Sequence, residues 1–483
     1  MELSLTSPPL LAAVLLLALL LQLLRYLRRR DPRKQPRANG LKIKNRHRFL
    51  EWSTGVLQRS PTHTMSFKAV GFGGGVITAN PANVEHILKT NFGNYPKGEL
   101  RVSMVEDLLG GGIFNSDGDR WLWQRKAASH EFSTSSLRAF VADAVRFEAV
   151  ERLLPLLARA ARDGRTLDLQ DVLERFAFDN ICSVAFDEDP ACLAGGGEGD
   201  RSGSAAEFMR AFDDAQSAVV ARLMTRPRSL WRVRRLLNTE PERRMRAIRA
   251  YAGRIVRERR ERAVAGRARG DDLLSRFAAR GEHSDEGLRD VVTNFLLAGR
   301  DTTSSALTWF FWAVSCRPDV EGRIVREIRA VRASSPGGAG AAPPFSLDEL
   351  RGMHYLHAAI SESMRLYPPV AVNTRRCGRD EFLPDGTFAG RGWQPWRGWR
   401  TVWGGDCEEF RPESPFKYPV FHAGPRTCLG REMAYVQMKS IVACVFERFT
   451  LRFAGGEGQP GLVLSLTLRM KGGLPMQVNE RTA

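Results

Sequence analysis

A chain of 483 residues with 43% hydrophobic content has enough apolar material for a large core, which excludes a wholly disordered protein. Its 72 Lys and Arg against 54 Asp and Glu leave a formal charge of +18, a balance suited to nucleic acid, an anionic membrane or an acidic protein partner. Seven cysteines, at 182, 192, 316, 377, 407, 428 and 444, form no CxxC pair and no regular spacing, so neither a disulfide framework nor a zinc site is encoded, and a reducing compartment fits.

Residues 10–24, LLAAVLLLALLLQLL, are apolar apart from Gln22, and RYLRRR follows at once. A cleaved signal peptide places positive charge before its apolar run and a small-residue cleavage site after it. Here the arginines come after the run and no such site appears. The segment predicts an uncleaved, single-pass membrane anchor over residues 1–30, with Arg25 snorkelling and Arg28, Arg29 and Arg30 kept cytosolic. Residues 31–483 then form a cytosolic domain, and part of the positive charge serves attraction to the lipid membrane.

After the basic linker RRRDPRKQPRANG, apolar periodicity is mostly helical, with short strand-like pieces TMSFKAV and GGVITAN, so the expected class is mainly α with minor β. GFGGGV, residues 71–76, lacks the third glycine of a dinucleotide-binding loop and a following acidic residue, and reads as a turn between strands. WLWQRK places Trp121 and Arg125 one helical turn apart. The stretches 193–207 and 334–345, rich in Gly, Ser and Pro, read as surface loops between helices. Between 224 and 268 the chain is dense in arginine, yet Leu236, Leu237, Met245, Ile248, Tyr251 and Ile255 fall on one helical face. With no interleaved aromatic platform and no DNA-binding motif, no nucleic-acid partner is expected.

A long helical pattern runs from about Glu286 to Cys316. Gly299 at its middle costs ~1 kcal/mol against alanine, which predicts a helix opened at that point. Thr302, taken alone, reads as a hydroxyl bonded to its own helix. Ser346 and Glu349 form a capping box, and the helix they open ends before Pro368 and Pro369. Glu362 and Arg365 lie three apart on one face of it.

Near the end stands FHAGPRTCLG, residues 421–430, followed by the helical pattern of LGREMAYVQMKSIVACVFERF. A lone thiolate serves as metal ligand or nucleophile and must be kept deprotonated, which a helix N-terminus assists. Cys428 stands where such a helix starts, Gly424 and Gly430 allow close approach of something flat and large, Arg426 offers a cation suited to a carboxylate, and Phe421 shields the sulfur. These parts describe a haem-thiolate site better than a protease site, which needs a base and an oxyanion donor.

In this register Phe421, Gly424, Arg426, Cys428 and Gly430 resemble the haem-ligand loop F-x-x-G-x-R-x-C-x-G of the cytochrome P450 superfamily. The resemblance runs over nearly the whole chain. It implies the P450 fold with an N-terminal anchor, haem b as cofactor and Cys428 as axial ligand to iron. It places AGRDTTSS (298–305) over the distal haem face, with Ala298 and Gly299 against the haem and Asp301 and Thr302 as the proton-delivery pair. Trp121 and Arg125 match its W-x-x-x-R, so Arg125 and Arg426 would neutralise the two propionates, and Glu362 and Arg365 match its structural E-x-x-R. More closely, NYPKGE, GGGIFNSDGDRW, AGRDTTSSALTWFFW and FKYPVFHAGPRTCLGREMAYVQMKSIVA resemble the plant fatty-acid ω-hydroxylase branch, which includes jasmonoyl-isoleucine oxidases. That branch implies an endoplasmic-reticulum monooxygenase that takes electrons from NADPH–cytochrome P450 reductase and hydroxylates a fatty-acid-like carboxylate, with jasmonoyl-isoleucine as the alternative substrate.

The chain departs from the family pattern in three places. The proline-rich segment after the linker is missing, QPWRGWRT replaces the usual run after LPDGTFAGRGW, and Ser414 stands where the family has an arginine that locks Glu362 and Arg365. These departures motivate a rival reading, a haem-poor, non-catalytic relative or a misassembled gene product.

Overall fold

The computed structural model describes residues 45, 48–69, 73–132, 135–194, 204–224, 240–266, 272–278, 284–335, 345–397, 420–456 and 458–481. Helices dominate and strands are short, as the periodicity predicts. Among the described residues no helix is long and apolar enough to cross a membrane. The expected anchor, Leu236, Leu237 and Ser414 lie outside the described residues, as does most of the two Gly-rich loops.

Two compact units are present. The smaller comprises residues 1–96, 224–228 and 372–402. In it the strands Thr64–Ala69 and Gly73–Thr78 pair antiparallel, and Gln394–Arg397 adds in parallel to the second. Of GFGGGV, read as a turn between strands, the glycines from Gly73 on belong to the second strand, where Gly75 faces the Phe67 ring, and residues 70–72 lie outside the described residues. Buried Asn83 closes the far end of the hairpin by donating to the hydroxyls of Thr64 and Thr78, 3.0 and 3.2 Å away. The third strand forms from the first residues of the divergent QPWRGWRT run.

The larger unit comprises residues 97–223, 229–371 and 403–483. Its helices include α1 (Gly118–Phe132), α2 (Leu169–Phe186), α3 (Ser204–Met224), α4 (Glu240–Val264), α5 (Asp285–Leu296), α6 (Thr302–Ser315), α7 (His354–Leu366) and α8 (Arg431–Arg448). Helix α6 carries ALTWFFWAV, apolar around its whole circumference, and such a helix must be enclosed. It packs against α2, α7 and α8. There Trp309 stacks on Tyr367 at 4.5 Å, and Phe311 meets Phe446 edge-on at 5.6 Å. The arginine-dense α4 buries Met245, Ile248, Tyr251 and Ile255, the face expected from their spacing. A three-stranded antiparallel sheet, Thr166–Asp168, Pro475–Glu480 and Phe449–Phe453, borders the helices.

Helices α5 and α6 are joined by a π turn, Leu297–Asp301. The expected break at Gly299 is therefore a widened turn inside a continuous helix. Its cause is packing: a Cβ on Gly299 would lie 2.5 Å from Cδ1 and Cγ1 of Ile181 on α2.

Candidate functional site

The cysteine loop is held by its own backbone. The Cys428 N–H donates to the Phe421 carbonyl at 2.8 Å, while the Thr427 N–H and hydroxyl both donate to the Gly424 carbonyl, at 3.0 and 2.7 Å. Gly424 has φ +67°, the left-handed conformation that a glycine adopts without strain. Helix α8 begins only at Arg431, with Gly430 as its N-cap residue. The expectation of several free N–H groups at the sulfur thus reduces to one, from Gly430, because the loop turns away before the helical ladder starts.

Cys428 is exposed by surface area, yet burial is the main influence on its thiol and pushes its pKa up, against the Gly430 N–H, Arg125 and Arg431, which pull it down. A side chain deep among protein atoms but uncovered at its tip lines a hollow. The Phe421 ring lies 5.4 Å from Tyr435, whose hydroxyl is 2.7 Å from that of Ser361 on α7. Phe132, at the end of α1, lies 3.5 Å from the Cβ position of Gly430 and meets Phe295 of α5 edge-on at 6.4 Å. One aromatic side chain thus spans from the cysteine loop to the helix that carries the π turn.

Three arginines gather beside this hollow. Arg125 donates to the Thr427 carbonyl, next to the cysteine. Arg426 lies over the Trp121 ring at 4.2 Å and donates to Asp117 at 2.7 Å and to the Ser116 carbonyl at 2.9 Å. Burial lowers the pKa of Arg426 to about 10; Asp117 opposes the shift, and Arg101 and Arg125 add to it. Arg101 is likewise lowered to about 10 by burial. Arg426 is bonded to the Asp117 carboxylate, while Arg125 reaches only a backbone carbonyl, and a flat dianion with a metal at its centre suits both this gathering of guanidinium groups and the free thiol beside it. The residues present therefore fit haem.

The loop that supplies Asp117 is fixed by contacts the sequence does not announce. The Gly111 N–H donates to Asp290 at 2.8 Å, and the Phe114 N–H to Asn294 at 3.2 Å, both acceptors on α5. Gly110 has φ +53° and a Cβ there would overlap the Asp290 carboxylate, which accounts for the GGG run. Arg101, Asp117, Asp290 and Asn294 belong to the site but carry no spacing signal of their own.

Across the π turn, Thr302 donates its hydroxyl to the Ala298 carbonyl at 2.6 Å, the back-bond expected of an isolated helical threonine. Asp301 turns to a polar cluster, accepting from Arg300 at 2.9 Å and from Gln216 of α3 at 3.0 Å. Burial pushes its pKa up to about 6 despite Arg300. Glu362 and Arg365 form a buried bidentate pair at 2.7 and 2.9 Å within α7.

The cytochrome P450 family pattern matches residues 49–389 and 406–471. The unmatched interval between them contains the divergent QPWRGWRT run. The chain is 46% identical over 484 residues to cytochrome P450 CYP94D108 of Paris polyphylla, covering 95% of this chain and 94% of the relative. It is 42% identical to cytochrome P450 94B1 of Arabidopsis thaliana, covering 91% and 88%, and 40% identical to cytochrome P450 94A2 of Vicia sativa, covering 91% and 89%. A crystal structure of a cytochrome P450, CYP102L1, superposes with a TM-score of 0.75 at 20% identity, over 94% of this chain and all of the other, which establishes the fold. The chain belongs to the cytochrome P450 family of haem-thiolate monooxygenases.

Proposed function

We propose that this monooxygenase hydroxylates the ω-carbon of a fatty acid, as an endoplasmic-reticulum protein anchored by residues 1–30 with its catalytic domain in the cytosol. The observation that carries the cofactor assignment is the free Cys428 thiol beside Arg101, Arg125 and Arg426, of which Arg426 is bonded to Asp117. The substrate assignment rests on likeness to the relatives of the 94 series and on the branch motifs in the sequence. The same likeness supports jasmonoyl-isoleucine as the second substrate to test.

Haem bound through the Cys428 thiolate supplies dioxygen activation, with electron donation from sulfur favouring O–O cleavage. Arg125 and Arg426, assisted by Arg101, would hold the propionates, while Trp121 supports Arg426 from below its guanidinium plane. Phe421 covers the sulfur side, and Ala298 and Gly299 would lie over the opposite face. Asp301 and Thr302 would hold and move the protons that the reaction consumes, and Glu362 with Arg365 braces α7. NADPH–cytochrome P450 reductase is the electron donor of this scheme, its acidic surface matched to the basic chain.

The test is the carbon monoxide difference spectrum of the reduced, full-length protein in microsomes, followed by turnover with saturated fatty acids and with jasmonoyl-isoleucine. A thiolate-type Soret band that Cys428→Ala abolishes, and ω-hydroxylated fatty acid identified by mass spectrometry, are the expected results. Hydroxylation that persists in Cys428→Ala would overturn the assignment. A well-expressed protein without the band would support the haem-poor reading instead.

A further inference from the structure

Beside the π turn, five charged residues interlock. Arg300 bonds Asp301 at 2.9 Å, Asp213 of α3 at 2.7 Å and Glu174 of α2 at 3.5 Å. Arg469, from the strand Leu468–Met470, bonds Glu174 at 2.7 Å and Asp213 at 2.9 Å. Glu174, Asp213, Arg300 and Arg469 line a cavity of about 540 Å³. Exposure falls from 21% for the Asp213 side chain and 13% for Glu174 to 6% for Asp301 and 1% for Arg300, so the cluster is a wall between the cavity and the proton-handling residue of the turn.

The count does not balance: three carboxylates face two guanidinium groups. Around them the remaining charged groups of the cavity wall are paired among themselves, Arg175 with Asp171 at 2.8 Å and Arg254 with Glu188 at 2.7 Å. Arg210 is exposed and its charge is screened. An unmatched buried charge is costly, and one proton removes it. Burial pushes Glu174 up to about 7, even against Arg300 and Arg469, and Asp301 up to about 6. Burial acts on Asp213 too, but the two arginines outweigh it and hold Asp213 below the ordinary carboxylate value.

We propose that this cluster stores one exchangeable proton, resting on Glu174, and that the cavity is the inlet through which solvent replenishes it after Asp301 has passed a proton toward Thr302. The proposal rests on the reading of Asp301 and Thr302 as the proton-delivery pair and adds a storage site and a route to it. In each cycle the O–H bond of Glu174 breaks as its proton moves to Asp301, and the O–H so formed on Asp301 breaks as the proton passes on toward Thr302. A proton drawn from cavity water then restores the O–H of Glu174, leaving the cluster with one proton and its charge unchanged. Glu174 acts through Asp301 and is a positioning residue.

The test is a pH-difference infrared titration of the full-length protein in detergent, from about pH 5 to about pH 9, a range that brackets a carboxyl raised from its ordinary value. Glutamate labelled with carbon-13 separates its carboxyl band from that of aspartate. In a Glu148→Gln background, which removes the other glutamate that burial raises, to about 8, the expected result is a glutamic acid carbonyl band that titrates near neutrality, disappears in Glu174→Gln and persists in Glu188→Gln, which changes another glutamate of the cavity wall. Asp213→Asn is the second variant: it leaves two carboxylates for two arginines, so the band vanishes at neutral pH although Glu174 is intact. In the reductase-coupled enzyme Glu174→Gln lowers product formed per NADPH consumed and flattens the pH profile of that ratio. A band that survives in both Glu174→Gln and Asp213→Asn would overturn the proposal. The infrared result does not depend on turnover, so failure of fatty-acid hydroxylation counts against the substrate reading alone.

Discussion

Substituting alanine at Gly299 sets two effects of opposite sign against each other. In an ordinary exposed helix the change gains about 1 kcal/mol of propensity. Here the added methyl would stand 2.5 Å from Cδ1 and Cγ1 of Ile181 and 2.9 Å from its Cβ. The first two atoms can swing away by a rotamer change, but the Cβ moves only with the backbone of α2. Overpacking of a tight core costs about 1–3 kcal/mol, so the net expectation is a loss of up to about 2 kcal/mol once the propensity gain is subtracted. Urea titration followed by tryptophan fluorescence reads the change as a shift in midpoint at constant slope. Ile181→Ala alone should cost about 2–5 kcal/mol for the cavity it leaves, whereas the double variant should be more stable than the sum of the two losses by about 1 kcal/mol. A Gly299→Ala protein that gains stability, with additive behaviour in the double variant, would refute the packing account of the glycine.

Three further outcomes follow from buried charges. Arg365→Ala leaves the wholly buried Glu362 without its bidentate partner and should cost about 3–5 kcal/mol, measured as the urea midpoint and as the fraction of expressed protein that retains haem; replacing both residues by apolar ones of similar volume should cost far less. Asp117→Asn removes the carboxylate bonded to Arg426 amid three arginines, so the haem-free protein should lose more thermal stability than the haem-bound one, in which propionates supply negative charge. Burial, with Asp179 nearby, raises Glu148 to about 8 against the opposing Arg152. A folded-state pKa above the unfolded value means that the folded chain holds the extra proton, so stability falls as pH rises from about 4.5 to about 8, by at most about 1.4 kcal/mol per pH unit. Glu148→Gln should flatten that slope in urea midpoints taken across the window.

What could be read in the sequence was what is encoded locally. The capping box of Ser346 and Glu349 is present with both bonds made, because all its atoms lie within one turn. The buried face of α4 follows from spacing alone, even with arginines on every other side. The cysteine loop was legible because its hydrogen bonds join residues a few positions apart. Partners brought from distant parts of the chain were not legible: no feature of IRAVRAS, LDELRG or VFERF announces that Arg332 will bond both Glu447 and Glu349. Arg101 and Asp117 were missed for the same reason, since their charge means nothing until folding sets them beside Arg426. At Gly299 the residue type was informative but its cause was not, because the constraint is a side chain on another helix.

The π turn explains why these separate features need one another. A π turn closes its hydrogen bonds to the fifth residue and inserts one extra residue per turn, a geometry that is rare and concentrated at functional sites. In this chain each of its last four residues has a distinct anchor: Ala298 offers its carbonyl to Thr302, Gly299 admits Ile181, Arg300 reaches Glu174 and Asp213, and Asp301 takes a bond from Gln216. An ordinary α-turn would advance each following side chain by about 100° and take at least one of these residues off its partner. Each of these contacts therefore favours the π turn over the regular helix. The close packing of Ile181 and the charge cluster stabilise the same irregularity from two sides. A variant that relaxes the turn should for that reason disturb Thr302 and Asp301 together, even when the substituted residue touches neither.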